Sequence, residues 1–396
     1  MAGALQGLRV IDASSVIAGP FAASLLADFG ADVIKVEMPG SGDAGRGMGP
    51  HHNGKSLRWP TYGRNKKSLS LDLRKEEGKN VFLKLVEKSD LIIENFRTGT
   101  LDKWGLSYET LQKANPKISV VRVTGYGQTG PNANLAGFGT PCTAFSGYTY
   151  ISGHPEMSPV SPAISLADYV AGLYAAFAAL MCIYHRDHHG QGQEADVSLY
   201  EGLFRMLEGI IAQYSKFGVV QERAPDIRGA ACPVGTWQSK DGKWMVLVCS
   251  TDRTFNHLAE AIGRADMITD PRYCTNAKRV ENCAEVEAVV EEWLGKHDWA
   301  DIKRILDEAG APVSLIYSME DCFNDPHYQA RNNIVEVEHP DFGKMHIPGI
   351  TPVLSKTPGE IKWLGPDVGA HNEDVLTSVL GMSAEDVAEL KEKGVL

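Results

Sequence analysis

The chain has no C-x-x-C pair. Its seven cysteines, at 142, 182, 232, 249, 274, 283 and 322, are scattered and odd in number. That pattern argues against a disulfide framework and a zinc site, and it predicts a reducing, cytoplasmic setting. No basic region leads into an apolar stretch with a small-residue cleavage site, so no secretory signal is predicted. The apolar run without charge from Tyr169 to His185 is short for a membrane span, and no membrane partner is expected. Positive charge is in deficit: 39 Lys and Arg against 50 Asp and Glu give a net charge of −11, which speaks against nucleic acid as a partner. Internal repeats and low-complexity segments are absent as well. What remains, at 396 residues with 43% apolar and 22% charged content, is a globular chain long enough for two domains.

Three familiar ligand motifs fail on inspection. Gly49-Pro50-His51-His52-Asn53-Gly54-Lys55-Ser56 has the letters of a phosphate-binding P-loop. A working one needs a strand before it and a helix opening at the Lys, whereas a Gly/Pro loop precedes this segment and Trp59-Pro60 interrupts any helix after it. The turn Ser14–Pro20 sits where a dinucleotide fold would carry G-x-G-x-x-G, with Glu37 as ribose carboxylate. It lacks those glycines, and Val16 and Ile17 stand where backbone must approach a pyrophosphate. His185, His188 and His189 crowd a helix C-terminus, where cations are favoured anyway, and no carboxylate completes a metal site. No metal and no prosthetic group are expected.

What is present is alternation. Leu8–Asp12, Asp32–Val36, Leu69–Leu73, Leu91–Ile93 and Ile118–Val123 have the apolar runs of buried strands, and Gly19–Phe29 and Lys75–Lys88 have helical spacing between them. This predicts an α/β fold, a doubly wound parallel sheet of Rossmann-like type. Pro39–Pro60 has no periodicity and is expected as a long loop. The large domain spans 1–216 and a linker 217–234. A smaller α+β domain spans 235–326, opening with a hairpin whose two-residue turn is Asp241-Gly242. Residues 327–396 return to the large domain and end in a helix capped at Ser383.

The densest chemical signal is Ala167-Asp168-Tyr169-Val170-Ala171-Gly172-Leu173, where one carboxylate leads a helix with no further charge until Arg186. Apolar on every side, that helix is expected to be buried all round. Its N-terminal N–H groups and macrodipole favour an anion, so Asp168 is expected to stay ionised. Basic residues gather in the first hundred or so positions, among them Arg64, Lys66, Lys67, Arg74, Arg97 and Lys103, a group able to hold a polyanion in an acidic protein. Glu201 and Arg205, one helical turn apart, are expected to pair with each other.

The Asp168 segment is followed by Gly190-Gln191-Gly192-Gln193 and Asp196-Val197-Ser198-Leu199. With Leu5–Asp12, Phe29–Glu37, Asn65–Ser68, Glu94–Arg97, Gly125-Tyr126-Gly127 and Pro366–Asn372 in this order, the chain resembles the class III coenzyme A transferases. This is the CaiB/BaiF-like group that includes formyl-CoA transferase and carnitine CoA-transferase.

The resemblance implies transfer of coenzyme A from an acyl-CoA to a free carboxylic acid. Asp168 would be the nucleophile, passing through an aspartyl anhydride and an aspartyl-CoA thioester. It places coenzyme A contacts at Val16, Ile17, Ala18, Arg74, Asn95, Phe96, Arg97, Lys103, Thr124, Gly125, Tyr126 and Gly127, with Lys103 standing for an Arg. It also implies an interlocked homodimer in which each subunit threads the other. Arg228, Gly229 and Ala230, followed by Ala231, stand nearest to the polyglycine lid of the formyl-CoA enzyme. Because the fork of Arg228 suits a second carboxylate, the expected acid is small or medium, a dicarboxylate such as succinate, with poor use of oxalate. The α-methylacyl-CoA racemases resemble the same scaffold but pair the Asp with a His in a G-H-D motif. The matching stretch here, Gly137-Phe138-Gly139, has no His. The alternative from another class is a catalytically silent acyl-CoA-binding protein, which the intact Asp168 disfavours.

Overall fold

The structure, a computed structural model, describes residues 3–225 and 230–396. The chain divides into two compact units. Met1–Thr149, Ser161–Gly218 and Gln329–Leu396 form the first, and Tyr150–Val160 with Val219–Tyr328 form the second. Tyr150–Val160 thus groups with the later segment rather than with 1–216. Ser152 bridges to Ala224, and the Tyr150 hydroxyl donates to Glu222 at 3.1 Å.

Six parallel strands carry the first unit: β1 (Arg9–Asp12), β2 (Asp32–Glu37), β3 (Lys66–Ser70), β4 (Leu91–Glu94), β5 (Ser119–Thr124) and β6 (Glu194–Ser198). Their order is β3-β2-β1-β4-β5-β6. Both faces are buried along the inner strands, which is why β1, β2, β4 and β5 are buried almost throughout, whereas the edge strand β6 alternates. Val10, Val33 and Ile93 face one layer with helices α1 (Ala18–Asp28) and α3 (Leu166–His189), and the short helix α2 (Gly139–Phe145) adds Cys142 to it. Ile11, Ile34 and Ile92 face the other layer, with Phe82 and the C-terminal Val387 and Leu390. Strand order reverses between β1 and β4, and in such sheets the crevice beyond the carboxyl ends at that point is where ligands bind.

Several local expectations shift. The third strand starts at Lys66, not Leu69, because a lysine that would end an apolar run is itself buried here and paired with Asp12 at 2.8 Å. The P-loop look-alike folds as a small hairpin, His51–His52 against Lys55–Ser56, and Lys55 pairs with Asp341 at 2.6 Å. Pro60 lies inside the short helix Trp59–Tyr62, in its first turn, where a missing N–H costs nothing.

Helix α3 is not buried all round. Ala171, Ala175 and Ala179 pack inward, while Leu173, Phe177 and Tyr184 are 54%, 57% and 67% exposed. At 24 residues it is also long and apolar enough to cross a membrane by length and composition, which the uncharged run alone did not indicate; half of its most apolar window is buried in the unit.

Beneath the turn after β1 lies a cluster of nearly water-free charges. Lys35 pairs with Asp43 at 2.8 Å and with Asp12 at 3.5 Å, Lys66 pairs with Asp12 at 2.8 Å, and all four are almost fully buried. Beside them Arg46 grips Glu37 with two bonds of 2.7 and 2.8 Å and lies over the Trp59 ring. Burial would raise the Asp12 carboxyl, but the two lysines outweigh it and hold it down at about 2. The edge strand β3 is covered by the returning chain. Gly369 N–H donates to Ser68 Oγ, Ser70 N–H to Asn372 Oδ1 and Trp363 Nε1 to Lys66 O, so this edge is not open to pairing.

The second unit has an antiparallel sheet of β7 (Val234–Gln238), β8 (Trp244–Val248) and β9 (Val313–Leu315), in the order β9-β8-β7. Met245 and Leu247 point inward and Trp244 and Val246 outward, the period of a sheet covered on one side. Phe255, Val286, Ile302 and Leu306 of three helices cover it. The hairpin connection has three residues, Lys240 to Gly242, closed by the Ser239 N–H to Lys243 O bond, and not two. Gly242 takes φ 78°, as the last residue of such a loop requires.

Lys66→Met should leave Asp12 buried without its closest partner and lower unfolding stability by about 3–5 kcal/mol. Lys67→Met, on a partly exposed pair, should cost less than about 1 kcal/mol. Urea midpoints of the two variants check this. Because the folded Asp12 is held below its unfolded value, its share of stability is complete above the ordinary carboxylate range and is lost as pH falls toward about 2.

Candidate active site

The loops leaving β1 and β4 are bound to each other by one side chain. Asn95 Nδ2 donates to Ser15 O at 2.7 Å, and Ser15 N–H donates to Asn95 Oδ1 at 2.8 Å. The next residue, Val16, takes φ 72°, a left-handed conformation that costs a β-branched residue about 1–3 kcal/mol. It is held there by its N–H bond to Asp43 Oδ1, 2.8 Å, and Asp43 is fixed in turn by Lys35. Ile17 and Ala18 then open α1.

Helix α3 crosses α1 at close range. A methyl group placed on Gly172 would lie 2.8 Å from both Ala18 O and Phe21 Cδ1, so only glycine allows the approach. The crossing brings Asp168, in the first turn of α3, to the turn after β1. The side chain of Ser165 does not cap this helix. Asp168, Val16–Ala18, Asn95–Arg97, Thr124, Gly125 and the chain Ala136–Phe138 enclose a cavity of about 200 Å³. A second cavity, about 240 Å³, is lined by Lys35, Met38, Asp43, Leu71, Arg74 and Trp104, and shares Ser15 and Phe96 with the first.

Around Asp168 the walls are backbone. A methyl on Gly139 would lie 1.9 Å from Asp168 Oδ2, and methyls on Gly125 or Gly137 would fall about 2.5 Å from the other's Cα. Burial pushes the Asp168 carboxyl up to about 6, with its own N–H as the only opposing influence. At neutral pH the carboxyl is still largely ionised, but burial raises its affinity for a proton above the ordinary carboxylate range. Asp168 makes no ion pair among the described residues. The Cys142 thiol beside it is pushed up to about 11, by burial first and then by the Asp168 charge. Among the described residues no histidine or second carboxylate lines the Asp168 cavity, and Phe138 on its wall is 67% exposed.

Of the expected contacts, Val16, Ile17, Ala18, Asn95, Phe96, Arg97, Thr124 and Gly125 line the Asp168 cavity. Arg74 lines the second cavity, held by two 2.8 Å bonds to Asp72. Lys103 lines neither. Tyr126 packs edge-on against Phe145 at 5.2 Å, and Gly127 donates its N–H to Thr124 Oγ1; neither lines a cavity wall here. Ala230 lies in the second unit, its carbonyl accepting from Asn276 Nδ2 at 3.0 Å, while Arg228 and Gly229 fall outside the described residues. Arg205 pairs with Glu208 at 2.5 Å rather than with Glu201. The residues that sequence reasoning passed over are Gly137 and Gly139. Their signal in the sequence is the pair of glycines flanking Phe138.

Comparison with known proteins identifies the family. A family model described as CoA-transferase family III matches residues 5–372. The succinyl-CoA–D-citramalate CoA-transferase of Chloroflexus aurantiacus is 40% identical over 393 residues, covering 99% of this chain and 98% of its own. The beta subunit of that organism's succinyl-CoA–L-malate CoA-transferase is 41% identical over 396 residues, with the same coverage. Among solved structures, a CAIB/BAIF family protein from Brucella suis superposes with a TM-score of 0.83 at 30% identity, covering 96% of this chain and 100% of its own.

Gly139→Ala should displace the Asp168 carboxylate and lower CoA-transferase turnover by about 10²-fold, as expected for a misplacement near 1 Å. Gly47→Ala, where a methyl meets nothing within 4 Å, should leave turnover unchanged. Turnover measured alongside circular dichroism separates a displaced carboxylate from a misfolded chain.

Proposed function

The chain belongs to CoA-transferase family III, and we propose that it moves coenzyme A between a succinyl-type thioester and a small dicarboxylic or hydroxy-dicarboxylic acid, with Asp168 as covalent carrier. The observation that carries this is a half-buried carboxylate with no cationic partner among the described residues, seated against the backbone of Gly139 and facing a cavity walled by Val16–Ala18 and Asn95–Arg97. Such a group is ionised at neutral pH yet poorly solvated, the state of an activated nucleophile.

The proposed sequence balances without ATP. Asp168 Oδ attacks the donor thioester carbonyl, the C–S bond breaks, and a mixed anhydride and CoA thiolate result. The thiolate attacks the aspartyl carbonyl and releases the donor acid, leaving an aspartyl-CoA thioester. The acceptor carboxylate attacks that thioester and frees the thiolate again. The thiolate then takes the acceptor's acyl carbon and restores the Asp168 carboxylate. One thioester replaces another, so the exchange is nearly thermoneutral. Each attack builds an oxyanion, and the close-packed backbone of Gly137–Gly139 is the proposed source of its N–H donors. The second cavity, with Arg74 and the Phe96–Trp104 pair, is the proposed seat of the nucleotide end of coenzyme A.

The acid is proposed from two supports. The similar Chloroflexus proteins are named for succinyl-CoA with citramalate or malate, and Arg228 offers a bidentate partner for a second carboxylate. The assembly is proposed as an interlocked homodimer. Besides the exposed face of α3, the helix Glu208–Phe217 has no buried residue and presents Ile211, Tyr214 and Phe217, the last 73% exposed, a surface a second copy would cover.

Incubation with succinyl-CoA and then hydroxylamine should modify Asp168 and inactivate the enzyme, and Asp168→Ala should abolish transfer; full activity in that variant sinks the mechanism. Because the ionised carboxylate is the reactive form, kcat/KM should fall about tenfold per pH unit below about 6. In the same assay succinate or malate should outrun oxalate, and Arg228→Ala should narrow the gap. Analytical ultracentrifugation should give a dimer down to nanomolar chain; a monomer with native circular dichroism contradicts the interlocked form.

A further inference from the structure

The second unit holds two cysteines side by side. Cys232 and Cys283, 51 positions apart in the chain, place their Sγ atoms 2.7 Å from each other. Neither is held there by the other alone. Cys232 is fixed through its backbone: its N–H donates to Asn276 Oδ1 at 3.2 Å, and its carbonyl accepts from Arg279 Nε at 2.9 Å. Arg279 is fully buried, anchored also to Tyr273 O and Asp252, and stacked on Phe255. Cys283 opens the helix Cys283–Leu294, with Glu287 one turn on, and its thiol lies 3.4 Å from Glu287 Oε1. Cys232 is buried and Cys283 partly exposed.

We infer that Cys232 and Cys283 form a reversible disulfide by exchange with a low-molecular-weight disulfide, pinning the chain that leads into β7 to the start of the Cys283–Leu294 helix. The two sulfurs and Glu287 cluster closely enough to be asked about a metal. A tetrahedral zinc with Zn–S of about 2.3 Å would hold the two sulfurs about 3.8 Å apart. The observed spacing is closer to a bond of about 2.05 Å. Exposure sets the order of events. Cys283, the reachable thiol, passes its proton to Glu287 and attacks one sulfur of glutathione disulfide, releasing glutathione thiolate and forming a mixed disulfide. Cys232 then attacks the Cys283 sulfur and expels the second glutathione thiolate. The two protein protons end on the two glutathione thiols, so two thiols are oxidised and one disulfide is reduced. Burial and the neighbouring Cys283 thiol push the Cys232 thiol up, which favours the resolving role over that of first attacker.

The test uses the full chain, reduced, desalted and incubated with oxidised glutathione, then alkylated and digested without reductant. Mass spectrometry should find one cross-linked peptide pair joining Cys232 and Cys283, lost on treatment with dithiothreitol; adducts at the exposed Cys274 differ in mass and are scored separately. Cys283→Ser should give no cross-link, with Cys232 left alkylatable once the chain is unfolded. Two results overturn the inference. One is wild-type protein with native circular dichroism in which both thiols remain free after oxidation. The other is about one zinc per chain in the purified protein that is lost in Cys283→Ser and prevents the cross-link, which would make the pair a metal site.

Discussion

Lys35 and Lys66 reach from β2 and β3 under the turn that follows β1, where they meet Asp12 and Asp43 with almost no water. Two positive and two negative charges cancel there, so the cluster is tolerable, although an apolar core of equal volume would be at least as stable. What it supplies is position. Asp43 belongs to the long segment after β2, yet one of its oxygens takes the Val16 N–H and the other faces Lys35. The turn at Val16 is forced into a left-handed conformation because these partners over-determine it, and strain of that kind persists only where the surroundings do so. Asn95 then ties the same turn across the switch point to β4. Two loops that would each be free to move become one rigid wall of the Asp168 cavity.

The opposite wall is made by an absence of side chains. Gly125 and Gly137 let two stretches of backbone close on each other, and Gly139, two residues on, lets one of them approach the Asp168 carboxylate. Among the described residues no lysine or arginine pairs with the acid; burial raises its affinity for a proton, to about 6. The contrast with Asp12 is instructive. Both are aspartates in the same unit, but one is paired with two lysines and held near 2, and the other is left alone. The first is fixed as a structural anion, and the second takes up a proton much nearer neutrality.

Much of this was legible in the sequence. Strand–helix alternation located five of the six strands and missed only β6 at the sheet edge, whose EADVS has no apolar run, and Asp168 stood out as a single charge leading an apolar helix. The failures have physical causes. A buried lysine looks like a strand boundary until its partner is known, so β3 was begun three residues late, and that partner, Asp12, lies 54 positions away. Glycine at 139 is indistinguishable from a loop glycine until the group it must avoid is seen. The exposed face of α3 is as apolar as the buried one, so composition could not separate them; both are written in Leu, Ala, Phe and Tyr. Arg205 had two acids within helical reach, and spacing alone could not choose between Glu201 and Glu208.

Placing a lone carboxylate on a long helix, rather than on one of the binding loops, has its own logic for the proposed chemistry. The loops after β1 and β4 must accept coenzyme A in several states, with its thiolate free or esterified. On α3, whose first turns are locked to α1 through Gly172 and to Tyr62 through the Tyr169 hydroxyl, Asp168 keeps its place while ligands on the loops change. Each proposed intermediate is reached by moving substrate carbonyls or thiolate a short distance past a fixed carboxyl, and positioning of this kind accounts for a large share of rate when no metal or ATP assists. The strained turn, the three close glycines and the helix crossing are thus separate sequence features with one geometric result: a fixed acid opposite a fixed wall, and a cavity between them.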